Sequence, residues 1–302
     1  MARVQSFPFG RRSAVRISYA VAVLPLALFV FVPAFSVLIL SFTDVKPSPF
    51  LPVHWIGLKN YQMFFNAAHM ADNLATLQNT LVYAVLLTVG QVGIGLALAL
   101  LLNRKRPGSS FFRSLVFMPV ILGVTISGLV WSSVLSVYGP VNELLAQLGL
   151  HADFFADPNI ALYVCAFVAV WANVGVQVVI FIAGLQTIPV ELYESAAIDG
   201  ASKGQIFRNI TFPLLAPSFT TNTLLGLIGS LQSYQMIYVL TGNKEFTKVF
   251  SLAVYFTAFG SGHQSVSVTQ GYASCISMVQ FVLVGIVALF ALAILRRREA
   301  KL

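Results

Sequence analysis

Charge is what this chain has least of. Asp, Glu, Lys and Arg make up only 9% of its 302 residues, against 58% hydrophobic residues and a mean hydropathy of +0.84. A water-soluble domain with so few charges could not cover its own surface, so the solvent for most of this chain is lipid. Cysteine is nearly absent too. Cys165 and Cys275 both lie inside apolar runs and offer neither a metal spacing nor a disulfide framework, which leaves them as small packing residues. There is no Gly-x4-Gly-Lys-Ser/Thr phosphate loop, indeed no Gly-Lys pair, so the chain is not expected to hydrolyse a nucleotide. His-Glu-x-x-His is missing as well, and no carboxylate pair falls in an apolar run, which argues against an intramembrane protease or glycosyl transferase. Neither an internal repeat nor a low-complexity segment occurs, so one membrane domain is expected.

What is present is a series of apolar runs of spanning length, at about 17–42, 79–102, 114–137, 160–185, 213–240 and 270–295. Each exceeds the roughly 20 residues that cross about 30 Å of hydrocarbon, and none contains Asp, Glu, Lys or Arg. The first is too long for a signal peptide and has no small-residue cleavage site after it. The expected fold is therefore all-α, a polytopic membrane protein with six transmembrane helices. Its parts are a tail over 1–16, a six-helix domain over 17–295 and a second tail over 296–302.

The sequence pI of about 9.7 would point to nucleic acid in a soluble protein, but here the bases are sorted by side, and no nucleic acid partner is expected. Arg3, Arg11, Arg12, Arg16, Arg104, Lys105, Arg106, Arg113, Lys203, Arg208, Arg296, Arg297, Arg298 and Lys301 fall on one side, leaving Lys46, Lys59, Lys244 and Lys248 on the other, with all four histidines. The cation-rich side is cytoplasmic by the positive-inside rule, and an even number of spans puts both termini there.

The polar island Glu191–Pro217 separates two apolar runs on that side. Pro189 is expected in the first turn of a helix, with Glu191 and Glu194 near its positive end. Ser195, Ala196, Ala197 and Gly200 make a small-residue surface with Leu192, Tyr193 and Ile198 as apolar contacts. Gly200 and Gly204 predict a bend into a second short helix near Ile206 and Phe207.

Within the runs, Pro25 and Pro33 are expected to kink the first and Pro119 the third. Gly90, Gly93 and Gly95 mark a face for close helix approach. Thr125, Ser127, Ser132 and Ser133 are expected to bond mostly to their own backbone. Asn173 and Gln177, four apart, share a face that serves either as interhelical glue or as contact for a polar ligand. Asn222, Gly226, Ser230 and Ser233 step along one face of the fifth run, with Gly229 and Tyr234 beside them. Amide, hydroxyl and phenol groups there suit a carbohydrate without the desolvation cost of full charges. Trp55, Tyr61, Phe64 and Phe65 read as an interfacial aromatic belt. The stretch after the fifth run is expected to lie flat on the membrane or meet a binding protein.

The spacing of Glu194, Ala196, Gly200, Ile210 and Pro213 resembles the EAA signature of permease subunits of ABC importers, and LYESAAIDGA with FRNITFPLLAP resembles the sugar and glycerol-phosphate branch. Ser195 stands where the family has Ala, and Phe212 where it has Leu. SFTD with WIGLKNY, the ALALLLNRKRPG turn and the FFR segment (Met118 in place of Leu) extend the resemblance over nearly the whole chain. It implies the type I importer permease fold in a bacterial inner membrane. It implies that residues 186–213 form a coupling loop seated on a separate ATPase through Glu194, Ser195, Ala196, Ala197, Asp199, Gly200, Ile210 and Pro213. It implies a second, non-identical permease, two ATPase subunits that hold the ATP and Mg, and an extracytoplasmic solute-binding protein. This chain itself would be neither an enzyme nor a holder of cofactor or metal. By the same resemblance, the fifth run contributes to the substrate site. The residues alone also admit a secondary carrier or channel, although such proteins usually keep an ionisable group at mid-membrane and this chain has none there.

Overall fold

The computed structural model describes residues 16, 19, 21, 23–47, 50–103, 108–260 and 269–299. Arg3, Arg11, Arg12, Arg104, Lys105, Arg106 and Lys301, with nearly all of the 1–16 tail, lie outside the described residues. Among those described the chain is helical, and the one extended pairing is a bridge between Thr43 and Trp55.

Among the described residues, five helices are long and apolar enough to cross a bilayer: α1 (Val23–Leu40), α3 (Ala67–Leu102), α4 (Ser109–Val134), α6 (Ala161–Gln186) and α12 (Gln270–Glu299). A bent pair, α8 (Lys203–Leu214) meeting α9 (Ala216–Gln232) at 64°, passes the same test when its two helices are counted as one span. Shorter α-helices among the described residues are α2 (Lys59–Phe64), α5 (Pro140–Ala146), α7 (Val190–Ile198), α10 (Gln235–Thr241) and α11 (Phe250–Phe259).

The long helices neighbour one another in the order α1, α12, α9, α3, α6 and α4. Helix α6 is the most buried, and its sequence explains why. Ala161, Cys165, Ala166, Ala169, Ala172 and Gly175 are buried along it, and such small side chains let α3 and α4 approach closely. In lipid, where apolar burial drives nothing, that close van der Waals packing holds helices together. A Cβ on Gly90 would sit 2.8 Å from Val170, and one on Gly95 would sit 2.8 Å from Cβ of Gln177, whereas Gly93 faces open space and takes no part. The two cysteines are free, buried and in separate clusters, consistent with packing roles.

Several local expectations are corrected. Helix α3 begins well before residue 79, because Asn66 caps it through the Ala68 N–H and no Gly or Pro stops the polar turns that follow. Helix α4 breaks at Gly123 (φ 75°, ψ 164°), not at Pro119. Glycine alone tolerates that backbone, whereas the proline is absorbed in the helix. The fifth run is not one helix: its chain turns extended at Ser233 (ψ 132°) before α10 begins. Phe64 is buried rather than part of a surface belt, and Tyr61 is hydrogen-bonded to Ser41 at 2.9 Å. Helix α11 does not lie free on a membrane surface, since Phe250, Leu252 and Ala253 are buried and the helix packs along α12.

Candidate functional site

Two features stand out, the EAA-like turn at one end of the bundle and a polar cavity in its middle. The turn starts at Pro189, which is the N-cap of α7 (ψ 134°) rather than a first-turn residue. Glu191 then lies in the first turn and Glu194 one turn further on. Helix α7 ends in a Schellman motif: the Gly200 N–H bonds to Ala197 C=O and the Ala201 N–H to Ala196 C=O, with Gly200 at φ 75°. The glycine thus terminates a helix, and no atom lies within 4 Å of a Cβ built on it.

The chain restarts at Ser202, whose hydroxyl accepts from the Gln205 N–H while the Gln205 side chain accepts from the Ser202 N–H at 2.7 Å. Helix α8 then widens into a π turn over Phe207–Thr211. Pro213 supplies no N–H, and its ring crowds the carbonyl four residues back, so a wider turn relieves the ladder. Pro217 repeats the disruption, and the 64° bend falls between the two prolines, around Leu215.

The turn has an inner and an outer side. Ile210 packs against the core cluster of α3 and α6, and Tyr193 packs there too, with its hydroxyl 3.3 Å from Oγ1 of Thr211. Tyr193 therefore pins α7 to α8 and is not an outward contact. Glu194, Ser195, Ala197, Asp199 and Gly200 are exposed, while Ala196, Ile210 and Pro213 are half-buried. Ile198 is 87% exposed, an apolar side chain at the tip of a charged turn.

The cavity, of about 500 Å³, lies between α3, α6 and α9 at the point where α9 breaks. Asn173, Gln177, Gly226, Ser230 and Ser233, all named from the sequence, line it together with Gly229. Gln91, Gln232 and Gln235 were not anticipated. An amide at position 91 in an otherwise apolar run was the available signal. No charged side chain lines the cavity. Two expected residues sit elsewhere. Asn222 is fully buried, with its amide 3.5 Å from the Gln177 carbonyl, and Tyr234 stacks on Tyr255 instead of lining the wall.

Part of this polar wall is structural glue. Ser230 is within hydrogen-bond distance of the Leu227 and Ala84 carbonyls and of Thr88, and Asn173 donates to Ala169 C=O. Gln177 donates to Gln91 at 3.3 Å, joining α6 to α3. Yet Oε1 of Gln177 and Oδ1 of Asn222 are buried without a partner. An orphaned acceptor in a low-dielectric interior is costly, so acceptors are in excess beneath the cavity floor. Among the described residues no group of His, Cys, Asp and Glu could hold a metal.

Residues 91–301 match the family model of the binding-protein-dependent transport system inner membrane component. The multiple sugar-binding transport system permease protein MsmF of Streptococcus mutans is 31% identical over 90% of this chain and 91% of its own. The sulfoquinovosyl glycerol transport system permease protein SmoG of Agrobacterium fabrum is 31% identical over 93% and 89%. Among solved structures, a bacterial ABC transporter involved in the import of the acidic polysaccharide alginate superposes with a TM-score of 0.80 at 21% identity, covering 95% of this chain and 96% of that one. A second structure, of the alginate ABC transporter in complex with pentasaccharide-bound periplasmic protein, gives 0.75 at 19%. With the matched segment running from the cavity residue Gln91 through the EAA-like turn to α12, this chain belongs to the binding-protein-dependent transport inner-membrane family and is a permease subunit of an ABC transporter rather than an enzyme.

Proposed function

We propose that this chain is one of two non-identical permeases of an ATP-driven importer that carries a neutral sugar or sugar-like solute. An extracytoplasmic binding protein delivers the solute, and two ATPase subunits, which hold the ATP and Mg, supply the work. The observation that carries this reading is the cavity itself: polar, uncharged, and continuous through α9 with the EAA-like turn. Amides and hydroxyls match sugar hydroxyls, whereas a phosphate-bearing solute would call for a cation that this wall lacks. The sugar-transport names of the relatives support a sugar-like cargo, and the choice of a neutral one rests on the uncharged wall alone.

The end of the bundle with the EAA-like turn is the cytoplasmic one in this reading, with both termini on that side. Lys203 and Arg208 lie in the turn, and Arg113, at the start of α4, bonds to the last carbonyl of α3 at the same end. Ile198 and the exposed flank of Glu194, Ser195, Ala197 and Asp199 seat in a groove of the ATPase. Closure of the ATPases moves α7 and α8, and the two permeases rock so that the cavity opens to one side and then the other.

The test is to purify the complex from membranes, reconstitute it, and measure ATP hydrolysis and uptake with the binding protein loaded from a panel of neutral sugars and glycerophosphodiesters. Glu194→Lys is expected to leave the subunits together while hydrolysis no longer drives uptake. Solute accumulation by this chain alone under an ion gradient would overturn the reading in favour of a secondary carrier.

A further inference from the structure

Beyond the cavity, a row of aromatic rings leaves its rim and climbs away from the EAA-like turn. Ser233 lines the cavity, and Tyr234 follows it directly. Tyr234 stacks on Tyr255 of α11, with centroids 5.3 Å apart and planes 28° from parallel. Tyr238, one turn along α10, meets Tyr255 edge-on at 5.2 Å, and Phe259, one turn along α11, lies 5.5 Å from it.

The direction of the row follows from how α11 is anchored. Its start lies deep, where Ser251 accepts a hydrogen bond from Gln280 at 2.6 Å, and Val254 then packs in one cluster with Tyr272, near the beginning of α12. Phe259 closes the helix at its far end. Tyr238 keeps 41% of its surface open and Phe259 72%, while Tyr234 and Tyr255 are half-buried. The two inner rings hold the two outer ones in place.

The inner rings are packed, and the two outer ones are open at the end of a row that begins beside a cavity-lining residue. The apolar C–H face of a pyranose is attracted to the electron-rich face of an aromatic ring, and tyrosine adds a hydroxyl for the sugar's own hydroxyls. We propose that Tyr238 and Phe259 form a second carbohydrate subsite at the outer mouth of the cavity, positioned by Tyr234 and Tyr255, and that the imported solute is an oligosaccharide long enough to reach both. This rests on the sugar reading above and narrows it to substrates of more than one ring.

The experiment uses the complete transporter with its binding protein, and probes it with disaccharides and tetrasaccharides of the gluco, galacto, xylo and arabino series. Tyr238→Ala and Phe259→Ala are each expected to slow tetrasaccharide uptake about tenfold, with disaccharide uptake within about twofold of the parent. Tyr238→Phe and Phe259→Tyr, which keep the ring, are expected to restore it. A parent complex that imports none of these sugars sinks both the sugar reading and the subsite. A parent that imports them while the alanine variants slow both lengths equally, or neither, sinks the subsite alone. Loss of subunits from the purified alanine variants would make the row a permease–permease contact and overturn the proposal.

Discussion

The side-chain amide of Gln280 donates to the carbonyl of Leu231 at 3.0 Å, closing the end of α9 where the cavity wall breaks. The same nitrogen donates to Oγ of Ser251 at 2.6 Å, so one side chain of α12 holds the end of α9 and the start of α11. Gln280→Leu keeps the bulk and removes both bonds. Leaving a buried acceptor unpaired costs about 1–3 kcal/mol, so a lower melting temperature of the purified complex is expected. Ser251→Ala, which frees only the second bond, should cost less. Equal melting of parent and Gln280→Leu would show that the break needs no cap.

Gly200 gives a prediction that separates backbone from space. Its φ of 75° strains any side chain, yet a Cβ there touches nothing. Gly200→Ala should destabilise the turn by about 1 kcal/mol, and Gly200→Asn by less, because asparagine tolerates the left-handed region. Binding-protein-stimulated ATP hydrolysis is the readout. Alanine as benign as asparagine would mean that the Schellman ending is dispensable.

Gly95 tests the helix contact beside the cavity. A Cβ there meets Cβ of Gln177 at 2.8 Å, and α3 and α6 cannot part locally without disturbing the Gln177 to Gln91 bond. Gly95→Leu is expected to cost about 1–3 kcal/mol by overpacking and to lower uptake, while Gly93→Leu, facing open space, should leave stability unchanged. Thermal unfolding of the two variants side by side decides it.

The hairpin between α1 and α2 gives a pH prediction. The backbone N–H of His54, and then its ring, bond to Asp44 and hold its carboxyl below the ordinary value of 3.8. With the folded-state pKa depressed, the contribution of this pair is present above the unfolded value and is lost as pH falls through the folded one. Trp55, stacked on Phe42 at 5.5 Å, reports the hairpin. In a Trp131→Phe, Trp171→Phe background its fluorescence should change below about pH 4, and Asp44→Asn should abolish that step.

How much of this was legible in the sequence depends on what enforces each feature. Lipid enforces the spans, so their presence and approximate places were readable from apolar runs alone. The two-helix form of the EAA-like turn was readable because Gly200 carries it in local backbone chemistry. The break after Gln232 was not, because Tyr234 to Leu240 is as apolar as the helix before it, and the capping group, Gln280, lies far along the chain. The inward side of Tyr193 is hidden for a similar reason: its partner Thr211 belongs to the next helix. The polar faces of α6 and α9 showed in the sequence, but Gln91, which completes the wall, was overshadowed by the glycines around it.

Leu215, only 1% exposed, sits at the 64° bend with no loop on either side of it. The segment therefore has the shape of a crank with a packed elbow. The long arm, the 17 residues of α9, is roughly 25 Å in length, so a swing of about 5° at the elbow carries its tip through about 2 Å. In the import cycle proposed here, a nudge delivered at Ile198 would reach Ser230 and Ser233 as a sideways stroke on the scale of a hydroxyl group, enough to make or break a grip on a sugar.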